Sequence, residues 1–168
     1  MSFDYRPIGH IHSPFDKPAG MPIQPTGAAG ICGTVDVFPE FAAGLKDLDG
    51  FSHIVLLYHF HRAGDAELVV TPFLDSRPHG VFATRAPRRP NPIGISVVRL
   101  TGLVANTLHI ENVDILDGTP LLDIKPYVPA FDHHPVERIG WLEKTSQNTQ
   151  KTVADERFAK SPVDDKRP

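Results

Sequence analysis

The sequence predicts a mainly-β single domain, a barrel or sandwich carrying short helical decorations. Short runs with strand character recur along the chain, and residues 54–61 (IVLLYHFH) are the most apolar of them. Proline and glycine clusters separate these runs, most densely over residues 14–29. No amphipathic helices alternate with the strands, which argues against a doubly wound α/β sheet.

Taken in order, residues 8–13 (IGHIHS) alternate apolar and polar side chains and stop at Pro14, as a first strand does. Residues 14–29 read as a long loop, and loops of that length are often functional. Residues 30–37 form a second strand, and residues 39–48 a short helix with Pro39 near its start. Residues 54–61 make the best central strand. Residues 67–73 alternate again, and 96–103, 107–112 and 121–124 are further short strands. Asp117-Gly118 reads as a tight turn between two of them. The barrel domain is expected over residues 1–132 and a polar tail over 133–168. In that tail Ile139, Trp141 and Leu142 dock on the core, residues 153–160 form a helical turn or two, and residues 161–168 are disordered.

A chain of 168 residues can bury a substantial single core. Its 40% hydrophobic and 22% charged content is that of an ordinary globular protein. No apolar run approaches a membrane span, and residues 1–7 lack the start of a secretory signal. A single cysteine, Cys32, rules out an intrachain disulfide and fits a cytoplasmic location. The net charge of −3 argues against binding nucleic acid by bulk charge.

Residues 80–97 (GVFATRAPRRPNPIGISV) carry the most chemistry. Pro87, Pro90 and Pro92 fix φ and remove backbone donors, which predicts a stiff loop presenting Arg85, Arg88, Arg89 and Asn91. No acidic residue interrupts positions 76–110, so the local field favours anions. The alternative is a rigid surface loop with solvated arginines. His59 and His61, two apart on a strand, would share a face and suit two metal ligands, with a third from His53 or residues 132–134. The competing reading packs one histidine and exposes the other. Asp114, Asp117, Asp123, Lys125 and Tyr127 lie in an otherwise apolar run, where Asp123 and Lys125 can pair. Neither a phosphate loop nor a GxSxG elbow is present, and Ser96 is a poor nucleophile candidate.

GVFATRAPRRPNPIGIS at 80–96, taken with DILDGTPLLDIKPYVP at 114–129, closely resembles the TsaA-like (TrmO-type) family. Further matches are Ile8-Gly-His-Ile-His-Ser-Pro14, Gly50-Phe-Ser-His53 and residues 58–61, so the resemblance spans about residues 6–132. It implies a small β-barrel that binds S-adenosyl-L-methionine without a Rossmann fold, usually as a homodimer. It also implies methylation of N6 of threonylcarbamoyl-adenosine beside the tRNA anticodon. By motif position, the cofactor residues are Gln24, Pro25, Thr26, His61, Arg62, Arg85, Leu100, Ile115, Leu116, Asp117 and Gly118. Arg85 would pair with the methionine carboxylate. Arg88, Arg89 and Asn91 would face the nucleotide, with Arg89, Asn91, Lys125 and Tyr127 orienting the reaction. No metal is expected under this reading. Two alternatives stay open: a non-catalytic nucleotide- or RNA-binding barrel, and a histidine-ligated metal hydrolase.

Overall fold

Alternating burial organises the chain from its centre outwards. Strand β3 (His53–His59) sends Ile54, Leu56 and Tyr58 inwards and leaves the residues between them partly exposed. The long strand β6 (Ile93–Val104) does the same with Gly94, Ser96, Val98 and Leu100. The two pair antiparallel, His53 opposite Arg99 and Tyr58 opposite Gly94. The computed structural model describes residues 3–148 and 150–159.

Strands β1 (Gly9–His12), β2 (Cys32–Val37), β7 (Thr107–Glu111) and β8 (Thr119–Pro126) complete the ring. Among the described residues these strands close a barrel in the order β1-β2-β7-β6-β3-β8, with every neighbouring pair antiparallel. Closure leaves none of these strands as a free edge. The interior is one cluster of aliphatic side chains, including Ile11, Val35, Ile54, Leu56, Val98, Leu108, Ile110 and Leu121. A small ribbon, β4 (Val69–Val70) with β5 (His79–Gly80), lies outside the barrel. Beside it a second apolar cluster holds Val70, Val81, Ala86 and Phe158, with Phe73 packed on it. Among the described residues no helix is long and apolar enough to cross a membrane.

Several sequence expectations are revised. The expected helix over residues 39–48 is a 3-10 turn, Pro39–Leu45, followed by another at Leu48–Gly50. The alternation at 67–73 yields only the two-residue β4. Residues 153–159 form no helix; Val153 and Ala159 instead make isolated bridges to Pro22 and Ala63. Trp141 stacks on His79 at 4.6 Å and donates Nε1–H to the Ala83 carbonyl, outside both apolar clusters, and Ile139 is 43% exposed. Residues 161–168 lie outside the described residues.

Candidate active site

The ends of three adjacent strands define a cavity of about 270 Å³. Tyr58 near the end of β3, Ile93–Ile95 at the start of β6 and Thr119 at the start of β8 line one side. A register shift between Leu57 and Tyr58 in the β3–β8 pairing falls at this rim, and bulges commonly re-aim side chains beside functional sites. Gly94 is required here by close approach, because a methyl at that position would overlap the Tyr58 ring. Phe60 meets Tyr58 edge-on at 5.4 Å.

Behind the wall runs a polar chain. Ser96 is buried among inward-facing apolar residues and donates a 2.7 Å hydrogen bond to Asp114 Oδ1. Tyr58 Oη stands 3.0 Å from Ser96 Oγ, and with the serine proton directed to Asp114, tyrosine is the donor. Burial pushes the Asp114 carboxyl up to about 6, although the Ser96 hydrogen bond and Arg85 oppose the shift. Tyr58 is raised beyond the usual phenol range by its burial and then by the charge of Asp114. Asp114, Tyr58 and Arg85 all line the cavity. A carboxyl raised towards neutrality in a cleft marks a candidate functional group.

Of the expected cofactor residues, Gln24, His61, Arg62, Arg85, Ile115 and Leu116 converge on this cavity. Arg85 donates from Nη1 to Gln24 Oε1 at 2.9 Å, and Arg62 donates to the Asp16 carbonyl at 2.8 Å. Pro25 and Thr26 instead line a wider neighbouring groove of about 1230 Å³, which shares Gln24 and Arg85 with the cavity. Leu100 belongs to the barrel core. Asp117 is directed to the β1 end, where its Oδ1 accepts from the Ser13 amide at 3.2 Å and lies 3.2 Å from His12 Nδ1. Burial acts to raise its pKa, but the Ser13 amide and His12 outweigh it and the carboxyl titrates low. Gly118 takes φ of +71° in the turn that follows, a conformation glycine adopts without strain.

The stiff loop does not present all of its arginines to solvent. Arg88 donates to the carbonyls of Ala159 at 2.9 Å and Phe158 at 3.4 Å and pairs with Glu67. Arg89 directs Nη1 to the carbonyls of Val81, Thr84 and Ala86, with its guanidinium 5.7 Å from the Phe82 ring centroid. The motif resemblance implies that both face the nucleotide, whereas tertiary carbonyls take these donors; Arg89 alone of the two also lines the cavity. Asn91 is exposed and lies outside the cavity lining. Lys125 pairs with Asp123 at 2.7 Å, as the sequence suggested, and Tyr127 packs edge-on against His53 at 6.5 Å. Those two residues sit opposite the start of β3, away from the Tyr58 end.

The histidine pair does not keep strand alternation. The strand ends at His59, the His61 amide bonds back to the His59 carbonyl at 2.8 Å, and His61 Nδ1 lies 3.4 Å from Thr119 Oγ1. Among the described residues no three His, Cys, Asp or Glu gather as metal ligands. Sequence reasoning missed the Tyr58–Ser96–Asp114 chain. Its signal was present: a serine at an inward position of an apolar strand, and an aspartate flanked by Val113 and Ile115.

Residues 10–133 match the family described as the tRNA-methyltransferase O N-terminal domain. A relative from Pyrococcus abyssi, named a probable S-adenosyl-L-methionine-binding protein, is 62% identical over 154 residues, covering 92% of this chain and 84% of that protein. The mouse tRNA (adenine(37)-N6)-methyltransferase is 36% identical over 133 residues, covering 75% of this chain and 31% of that protein. Among solved structures, TrmO from Pseudomonas aeruginosa superposes with a TM-score of 0.70 at 43% identity, covering 84% of this chain and 63% of that one. The chain thus spans less than two thirds of that structure. With its closed barrel and a motif loop at the cavity, the chain belongs to the tRNA-methyltransferase O N-terminal domain family.

Proposed function

We propose that this chain is an S-adenosyl-L-methionine-dependent methyltransferase acting on N6 of the threonylcarbamoyl-adenosine next to the anticodon of tRNA. The observation that carries the reading is the cavity itself, where Arg85, Asp114 and the apolar Ile115, Leu116 and Phe60 meet. That donor set suits a zwitterionic amino-acid group joined to an apolar ring system. Arg85 would hold the carboxylate of the cofactor, and Ile115 and Leu116 would offer apolar surface to its adenine. The names of the Pyrococcus and mouse relatives support cofactor and reaction.

S-adenosyl-L-methionine, when bound, supplies a methyl group on a sulfonium leaving group. The chain must align N6 with that methyl and exclude water. N6 of the expected substrate bears a carbonyl, so its lone pair is delocalised and its proton is comparatively acidic. Asp114 accepts that proton as the N–C bond forms, and Ser96 and Tyr58 hold the carboxylate in place. The tRNA loop enters the wider groove, where Phe82, 75% exposed, and Trp141 offer surfaces on which unpaired bases stack. Arg89 shapes the loop between groove and cavity.

The chain acts as a homodimer in the cytoplasm. Ile93 and Ile95, 39% and 50% exposed, lie on the strand beside the cavity and would be covered in a two-fold contact. The exposed Cys32 thiol suits a reducing compartment. Two measurements test the reading. Calorimetry should detect S-adenosyl-L-methionine binding, and purified protein should transfer labelled methyl to threonylcarbamoylated anticodon stem-loop. Binding without transfer to modified or unmodified stem-loop would leave a nucleotide-binding barrel; no binding would remove the cofactor.

A further inference from the structure

Residues 153–159 lie beyond the family-matched part of the chain, yet they reach the cavity. Ala154, Asp155, Phe158 and Ala159 all line it, and Ala154 and Phe158 are buried. The segment is fastened at both ends. At its start the Ala154 amide donates to the Met21 carbonyl and the Gly20 amide donates to the Ala154 carbonyl, each at 2.8 Å. At its finish the Gly64 amide donates to the Phe158 carbonyl at 3.2 Å, and Ala63 pairs with Ala159. Between them Arg157 donates to the Pro72 carbonyl at 3.1 Å and covers the Phe73 ring, which meets Phe158 edge-on at 5.1 Å.

Arg88 grips the finishing end through two nitrogens and is itself held by a third. Nε and Nη2 take the carbonyls of Phe158 and Ala159, and Nη1 takes Glu67. Gly64 lies directly beneath that guanidinium, where an added methyl would sit 3.0 Å from its Cζ, Nε and Nη2. Arg88 therefore belongs neither to the barrel core nor to the cavity lining. Its side chain reaches the cavity wall through the segment it holds, while its chain neighbours Pro87 and Arg89 line the cavity directly.

We propose that residues 153–159 are a latched wall of the cofactor cavity and that Arg88 is the positioning residue that keeps it shut over S-adenosyl-L-methionine. The proposal rests on the cofactor reading above. Phe158 supplies the apolar surface of the wall, and the latch governs how long a bound molecule stays. Releasing the Arg88 grip removes two charge-assisted hydrogen bonds to the end of the segment, together with the pair to Glu67, and leaves the barrel interior untouched. The effect falls on dissociation, because closure is already formed in the free protein.

The test pairs binding kinetics with amide hydrogen exchange on full-length wild type, Arg88→Met, Arg88→Lys and Gly64→Ala. Arg88→Met should raise the dissociation rate of S-adenosyl-L-methionine at least tenfold. Exchange at the Gly64 and Ala154 amides should accelerate, while barrel amides such as those of Leu56 and Val98 keep their protection. Gly64→Ala, which displaces the guanidinium without removing it, should move both readouts in the same direction by less. Arg88→Lys should recover little, since one ammonium cannot span three separated acceptors. Unchanged exchange at Gly64 and Ala154 in Arg88→Met would overturn the latch. Faster exchange there with unaltered cofactor kinetics would overturn the wall. Wild type that binds no S-adenosyl-L-methionine would overturn the cofactor reading and with it the wall's role in retention, and the exchange measurement would still decide the latch.

Discussion

Ser96 donates a 2.7 Å hydrogen bond to Asp114, joining the inner face of a central strand to a carboxylate on the cavity wall. A serine at an inward position breaks the apolar alternation of β6, and Asp114 is the acceptor that satisfies it. The carboxylate itself is poorly solvated, and burial raises its pKa from 3.8 to about 6.

That shift predicts the sign of a pH dependence. A raised carboxyl pKa means that the folded state binds the proton more tightly than the unfolded state. The stabilising contribution is complete below pH 3.8 and is lost as pH rises through about 6. At pH 7.5 the ionised group should therefore cost roughly 3 kcal/mol relative to its protonated form. Asp114→Asn keeps an acceptor for Ser96 without the charge, so its Tm should exceed wild type by several degrees at pH 7.5 and match it near pH 4. Methyl transfer should fall sharply in the same variant. Thermal scans at both pH values check the first half, and equal Tm differences at the two would refute it.

Gly94 and Tyr58 give a steric prediction. The Tyr58 ring lies against Gly94 across the β3–β6 pair, and Cβ of any other residue there would overlap it. Gly94→Ala should destabilise by about 1–3 kcal/mol, as overpacking does. Tyr58 would also swing from Ser96, so near-ultraviolet circular dichroism should change with the urea midpoint. An unaltered midpoint would mean that the ring yields freely.

The barrel was legible in the sequence because its information is local. Residues 8–13 alternate apolar and polar side chains and residues 54–61 form a short apolar run, and strands β1 and β3 follow. The segment around Phe158 was not legible for the opposite reason. Ala154 and Phe158, four residues apart, look like one face of a helical turn, but backbone pairing with Met21 and Gly64 lays the segment along the cavity, with a single turn closed by the Ala159 amide on the Glu156 carbonyl. The carbonyl acceptors of Arg88 and Arg89, at 158–159 and 81–86, are likewise invisible in the sequence because they come together only once the loop is folded. Gln24, Arg85 and Ile115, which the motif resemblance implies as cofactor residues, line the cavity together.

The two neighbouring arginines should respond differently to lysine. Arg89 uses a single nitrogen, Nη1, for its contacts with Val81, Thr84 and Ala86. An ammonium carries three donors on one atom and can serve clustered carbonyls. Arg89→Lys should therefore keep most of the stability that Arg89→Ala loses, a loss of about 2–3 kcal/mol for hydrogen bonds from a charged group. Arg88 spreads its donors over Phe158, Ala159 and Glu67, and lysine should fail there. Urea denaturation of Arg88→Ala, Arg88→Lys, Arg89→Ala and Arg89→Lys decides it. Equal retention in Arg88→Lys and Arg89→Lys would contradict the distinction.

Arg85 is the arginine of the loop that remains available to a ligand. Among the described residues its hydrogen-bond partner is Gln24 Oε1 at 2.9 Å, made through Nη1 alone, and it stands where the cavity meets the wider groove. That leaves the remaining guanidinium donors for a carboxylate, the group the amino-acid end of the cofactor offers. Arg85→Ala should weaken S-adenosyl-L-methionine binding by roughly 2–4 kcal/mol, the loss expected when one member of a desolvated charge pair is removed. Arg85→Lys should regain part of it, because the charge stays and the fork is gone. Gln24→Ala should have a smaller effect, since it frees the guanidinium without removing it. Calorimetry with S-adenosyl-L-methionine and with 5′-methylthioadenosine, which lacks the carboxylate, separates the causes. Arg85→Ala should impair only the former, and equal loss for both would show that the arginine supports the cavity rather than the carboxylate.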